Sequence, residues 1–257
     1  MSRPSIFITG AAAGIGRATA LHFARQGWFV GGFDVDEVGL ASLKAELGEC
    51  MVGKLDVSDY AAWEKAVQSF FLAAGNRLDV LLNNAGILAS GPFEHTPIAR
   101  HHLMVDINIK GVMNGCHAAL PWLQKTAGSR VINLASASAI YGQPSLATYS
   151  ATKFAVRGLT EALDLEWHKF GIRVMSVWPL FVQTAMVTDM DAKSIKALGV
   201  QLTADDVARV IWQAAGYQGR PKVHWPVGLK SLLLQQTSKY SPDWLNRFIN
   251  FHVATKH

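Results

Sequence analysis

Of the five tyrosines in the chain, Tyr149 alone has a lysine four residues further on, Lys153. On a helix that spacing puts both side chains on one face, about 6 Å apart along the axis. A phenol titrates near pH 10. An ammonium one turn away favours the phenolate and draws such a group toward use as a general base near neutrality. Ser136 lies thirteen residues before Tyr149, just past an apolar run, and Asn108 falls within an earlier helical segment. A YxxxK pair by itself would read more often as an exposed helix pair, so its company decides.

That company begins at Thr9-Gly10-Ala-Ala-Ala-Gly14-Ile15-Gly16, where a short apolar run passes through a glycine-rich turn into a helical pattern. Gly10 permits a tight turn, while Gly14 and Gly16 let backbone and ligand approach. The free N–H groups of the helix start, with Ile15 among them, favour a pyrophosphate. Eighteen residues after Gly16 comes Asp34, at the end of the second apolar run and where the adenosine ribose of a dinucleotide would lie. A carboxylate there accepts ribose hydroxyls and repels a 2′-phosphate, so Asp34 selects NAD over NADP. Arg17 is the one nearby cation that would compensate, and its place after the last glycine directs it along the helix; position 13 is Ala. Asp56-Val57 and Asn83-Asn84-Ala85-Gly86 follow the third and fourth apolar runs. Singly these are turn chemistry, but at the carboxyl ends of parallel strands they line one crevice.

Such residues need a sheet to carry them, and the pattern supplies one. Strands are expected at Ser5–Thr9, Trp28–Phe33, Cys50–Leu55, Leu78–Leu82, Arg130–Leu134, Ile172–Val177 and Lys222–Trp225. Helices are expected at Gly14–Gln26, Glu37–Leu47, Asp59–Ala74, Ile98–Lys125 with Pro121 inside, Thr148–Phe170 and Ala204–Ala215. Strand–helix alternation gives an α/β, doubly wound (Rossmann) seven-stranded parallel sheet flanked by helices, a single domain over residues 1–257. Residues 183–200 have mixed polarity and read as a mobile substrate loop. Residues 239–257 read as a basic C-terminal helical extension, with Ser241 as cap, Pro242 at its start, and Trp244, Leu245, Phe248, Ile249 and His252 at helical spacing.

Composition narrows the class. The chain has 257 residues, half of them hydrophobic and 17% charged, enough to bury a large core without a disulfide or a structural metal. Cys50 and Cys116 form no CxxC, and no HExxH or Cys/His cluster occurs, which argues against a zinc site and for a reducing, cytoplasmic setting. The start Met1-Ser-Arg-Pro reaches Ile6-Phe-Ile at once, leaving no room for a signal peptide, and no apolar run is long enough to span a membrane. The net charge of +5 is accounted for by residues 217–257, with six Lys or Arg against one Asp. A basic excess confined to one end argues against nucleic acid as a partner and leaves membrane-surface contact a minor alternative to packing on a subunit.

The ordered set from Thr9 to about residue 228 resembles the short-chain dehydrogenase/reductase family, the branch with a TGxxxGIG cofactor motif and a YxxxK active site. The resemblance implies that Tyr149 transfers a proton and Ser136 donates a hydrogen bond to the substrate oxygen, with Ser138 as its substitute under a shifted spacing. It further implies that Lys153 holds the nicotinamide ribose and lowers the Tyr149 pKa, and that Asn108 anchors a water in the proton relay. The family's Pro-Gly-x-Val-x-Thr segment corresponds to Pro179-Leu180-Phe181-Val182-Gln183-Thr184, so Pro179, Val182 and Thr184 would meet the nicotinamide, and Leu180 departs from the usual glycine. Pocket positions implied by the fold are Leu88, Ala137, Ser138, Ile140, Tyr141, Leu180, Phe181 and Met186. They are mostly apolar, which suits a hydrophobic secondary alcohol or ketone, though core packing gives the same composition. The expectation is an NAD(H) oxidoreductase acting as a homodimer or homotetramer. The alternatives are an NADPH-dependent β-ketoacyl-type reductase and a catalytically idle dinucleotide-sensing scaffold.

Overall fold

The computed structural model describes residues 3–183 and 202–255. Seven strands, β1 (Ser5–Thr9), β2 (Phe29–Asp34), β3 (Met51–Lys54), β4 (Val80–Asn83), β5 (Arg130–Leu134), β6 (Arg173–Trp178) and β7 (His224–Pro226), form one parallel sheet in the order β3-β2-β1-β4-β5-β6-β7. The order reverses between β1 and β4, which pair directly with Phe7 opposite Leu81. At that reversal the crossover helices part to opposite faces, and a crevice opens beyond the carboxyl ends of the two strands.

Both faces of the sheet are covered, so the central strands are apolar throughout instead of alternating with polar residues. Phe7 points to one face, stacked on Phe33 at 4.1 Å between ring centres and on Trp63 at 5.4 Å. Its neighbours Ile6 and Ile8 point to the other, with Phe23, Val30, Leu43 and Ile211. The helices are α1 (Gly14–Arg25), α2 (Glu37–Leu47), α3 (Tyr60–Ala73), α4 (Ile98–Val105), α5 (Gly111–Leu123), α6 (Ala147–Glu166), α7 (Ala204–Gly216), α8 (Gly228–Tyr240) and α9 (Asp243–Thr255).

The strands and the first six expected helices appear within a few residues of their expected places, with two differences. The single helix expected over Ile98–Lys125 is interrupted at Asp106–Lys110, where the turns widen and the Gly111 N–H reaches back to the Asp106 carbonyl. A widened turn of this kind re-aims one side chain out of helical register, here that of Asn108. The one helix expected in the C-terminal extension is α9, and a helix that was not expected, α8, precedes it. The leucines at 229, 232, 233 and 234 have no side-chain cap before them and are spread among polar residues, so α8 carries little amphipathic signal. The expected loop at 183–200 lies outside the described residues apart from Gln183.

Candidate active site

The crevice is a cavity of about 390 Å³ that begins at the glycine turn and ends past β6. Its dinucleotide end is built on α1. Helices α2, α3 and α7 have their first N–H groups capped by the side chains of Asp36, Asp59 and Thr203. Helix α1 starts at Ala13 with no side-chain cap and no acid in its first turn, and Ala13, Gly14 and Ile15 line the cavity. Unsatisfied N–H groups and the positive end of a helix dipole thus face the space, which is the chemistry an anionic pyrophosphate needs.

Two glycines hold this turn against the strand beside it. Gly10 has φ +66°, and a Cβ there would stand 2.9 Å from the Ala85 backbone. A Cβ on Gly16 would stand 2.0 Å from the Gly10 carbonyl oxygen. Gly16 therefore does not reach the cavity as the sequence suggested; it lets the helix close onto its own turn. The Asn84 amide donates to the Thr9 and Gly10 carbonyls at 2.8 and 3.0 Å, and the Asn84 and Ala85 N–H groups donate to the Thr9 hydroxyl. The Asn-Asn-Ala-Gly segment is thus tied to the glycine turn, and Asn84, Ala85 and Gly86 all line the space. Asn83 points elsewhere, into the core, where it donates to Asn133.

At the outer end Asp34 lines the cavity, its carboxylate accepting the Ala12 and Asp36 N–H groups at 3.0 and 3.1 Å. Asp56 and Val57 lie beside it. Arg17 donates to the Gly39 carbonyl, Ser42 and Glu46, away from Asp34, as its place on the helix suggested. Lys153 is the one basic side chain among the described residues of the lining.

At the inner end Ser136, Ser138, Tyr149 and Lys153 meet. Ser136 follows β5 and opens a short 3₁₀ turn, its hydroxyl accepting the Ser138 N–H at 3.1 Å. Tyr149 and Lys153 come from α6. The Lys153 ammonium lies 5.5 Å from the Tyr149 ring centre and donates to the Leu134 carbonyl at 2.8 Å. Burial dominates both groups. Desolvation pushes the Tyr149 phenol up to about 12, opposed by its hydrogen bond with Ser136, and lowers Lys153 to about 8. The expected lowering of Tyr149 by its neighbour is therefore not what this geometry gives: Tyr149 opens partly to the cavity, but protein packs around the rest of it, and taking the phenolate out of water costs more than the hydrogen bond with Ser136 returns.

Asn108 is buried behind the cavity and does not line it. Its side chain clamps both backbone groups of Ile87, accepting from the N–H at 2.8 Å and donating to the carbonyl at 2.9 Å, and also donates to Thr152 on α6. Past β6, Pro179, Leu180, Phe181 and Val182 line the space, as does Leu88, whereas Ala137, Ile140 and Tyr141 do not. Thr184 and Met186 lie outside the described residues. Sequence reasoning missed Val35, Leu55, Ile87, Ile107, Leu134, Ala135 and Leu146 as lining residues. Several of these sit at or just beyond strand ends, so strand position was the available signal; Ile107 and Leu146 had none.

A nucleotide fold opening on a Ser, Tyr and Lys cluster defines a class of oxidoreductase, and the comparisons agree. Residues 4–195 match the family described as short chain dehydrogenase. The chain is 36% identical over 220 residues to a serine 3-dehydrogenase of Agrobacterium fabrum, covering 82% of this chain and 87% of that one. Its fold superposes with TM-score 0.78 and 28% identity on a 3-ketoacyl-(acyl-carrier-protein) reductase from Brucella melitensis complexed with NADH, covering 87% and 96% of the two chains. A serine dehydrogenase complexed with NADP+ gives TM-score 0.79 at 28% identity, covering 87% and 94%. The chain belongs to the short-chain dehydrogenase/reductase family.

Proposed function

We propose that the protein interconverts a hydrophobic secondary alcohol and its ketone with NAD(H). When bound, the nicotinamide supplies or accepts the hydride. The chain's own residues do the rest. The uncapped start of α1 binds the pyrophosphate, Asp34 the adenosine ribose, and Lys153 the nicotinamide ribose. Ser136 donates a hydrogen bond to the substrate oxygen. Tyr149 hands its proton to that oxygen as negative charge develops there, or takes it back in the reverse direction. A phenol held near 12 carries its proton at neutral pH, the form needed for donation.

The observation that carries this reading is that Ser136, Tyr149 and Lys153 share one cavity with the uncapped helix start and Asp34. The commitment of Arg17 to Glu46 supports NAD over NADP, since no cation of the described lining stands near Asp34 to offset a 2′-phosphate. The apolar run Pro179–Val182 and Leu88 support a hydrophobic substrate. The likeness to a ketoacyl reductase favours a second reading, a carrier-bound β-ketoacyl substrate. Steady-state kinetics with NAD, NADP and their reduced forms, on a panel of secondary alcohols, ketones and acyl thioesters, test both. A higher kcat/KM with NADP overturns the cofactor assignment, and turnover of thioesters alone overturns the substrate class.

We further infer a homo-oligomer joined through α6. Ala151, Phe154, Ala155, Gly158, Ala162 and Leu165 fall on one outward stripe, and a Cβ at Gly158 would meet nothing within 4 Å.

A further inference from the structure

The two C-terminal helices are amphipathic in the inverted sense. Ser231 of α8 is fully buried, its hydroxyl donating to the Trp178 carbonyl at 2.8 Å, while Leu229, Leu233 and Tyr240 on the opposite side are exposed, Leu229 by 70% and Tyr240 by 77%. In α9 the less exposed positions are Leu245, Asn246, which donates to the Ser238 and Ser241 carbonyls, and Asn250, which accepts from Gln143 at 3.5 Å. Its outward positions are Trp244, Phe248 and Phe251, exposed by 69, 53 and 54%. A helix that hides its amides and shows its aromatics to water is shaped for an apolar medium on its outer side.

Charge says which medium. Helices α8 and α9 carry Lys230, Lys239 and Arg247 against the single acid Asp243. Lys239 lies 5.6 Å from the Tyr240 ring centre, and Arg247 lies 5.9 Å from that of Phe251. A second copy pairing through this face would set like charges, a net of +2 from the two helices, against each other. An anionic lipid surface offers the opposite sign to the cations and an apolar layer to the aromatics, with Trp and Tyr at the level they favour and the long cationic stems reaching back to the headgroups.

We propose that α8 and α9 dock the protein reversibly on an anionic lipid bilayer. The position is apt for a substrate drawn from that surface. Ser231 is bonded to the residue before Pro179, which lines the cavity, and the Gln143 N–H donates to Ser150, next to Tyr149. The docking itself does not rest on the enzymatic reading, and its test uses binding alone.

The full chain is mixed with vesicles of phosphatidylcholine containing phosphatidylglycerol, and with phosphatidylcholine alone, and sedimented. Binding is expected to the anionic vesicles, weakening as salt rises. Each basic residue at such a surface is worth about fivefold in partitioning, so neutralising Lys230, Lys239 and Arg247 to Gln should weaken binding about a hundredfold. Vesicles with brominated acyl chains should quench part of the tryptophan emission, and Trp244→Phe, a change small enough to keep the fold, should remove that part. No sedimentation with anionic vesicles overturns the proposal, as does quenching unaltered in Trp244→Phe. So does concentration-dependent self-association that Trp244→Phe weakens in a protein that ignores vesicles, which would assign the face to a second copy.

Discussion

At the scale of single residues, the site works by what burial does to polar groups. The acid–base role proposed for Tyr149 is one worth about 10²–10⁴-fold in rate. Tyr149→Phe should therefore lower kcat by about that factor while the dissociation constant for NADH, measured by fluorescence titration, stays nearly unchanged. Lys153 predicts a pH signature. Below about pH 8 its ammonium is charged in both states, and the folded state bears the full desolvation cost. As pH rises from there the folded state sheds its proton before the unfolded chain does, so stability from this group climbs until about pH 10.5. Chemical denaturation across that range should show the stability of the wild type rising relative to that of Lys153→Met. Asp34→Ala should narrow the proposed preference for NAD over NADP in kcat/KM by about tenfold, because it removes the charge proposed to repel the 2′-phosphate. Leu180 takes a negative φ and lines the cavity half-exposed. Leu180→Gly should widen the range of alcohols accepted with little change in NADH affinity.

At the scale of elements, position is held by pairs of segments far apart in sequence. The glycine turn and the segment after β4 are locked by Thr9 and Asn84, and the widened turn at Asp106–Lys110 lets Asn108 hold Ile87 at the cavity wall. Asn108→Ala would leave two backbone groups of Ile87 without their partner. A buried group left so costs about 1–3 kcal/mol, and urea unfolding should report a loss of about that size. The Asn108 carboxamide ties the Ile87 backbone to Thr152 of α6.

At the scale of the whole molecule, the crevice depends on sheet order, and the outward stripe of α6 is the face proposed for assembly. A charged side chain in the middle of the outward stripe of α6 should break the proposed oligomer without touching the cavity. Gly158→Glu is therefore expected to shift light-scattering mass to the monomer, while circular dichroism stays that of the folded chain. Among the described residues no helix is long and apolar enough to cross a membrane, so the proposed lipid contact is one of surface docking.

The elements were legible because their signals are local. Short apolar runs and period-3.6 patterning placed the strands and six helices, turn chemistry placed Gly10, Asp34 and Ser136 at strand ends, and i, i+4 spacing set Tyr149 and Lys153 on one helix face. Their order alone brought them to one edge of a parallel sheet, since parallel strands put all their carboxyl ends on the same side. What local pattern could not carry was decided by packing between distant segments. The retreat of Gly16 from the cavity follows from the Gly10 carbonyl, and the rise of the Tyr149 pKa from the protein packed around its ring. The break in the long helix and the outward face of α8 likewise depend on neighbours that the chain meets only once folded. Close approach and desolvation are properties of a neighbourhood, and in this chain that neighbourhood is assembled by tertiary contact.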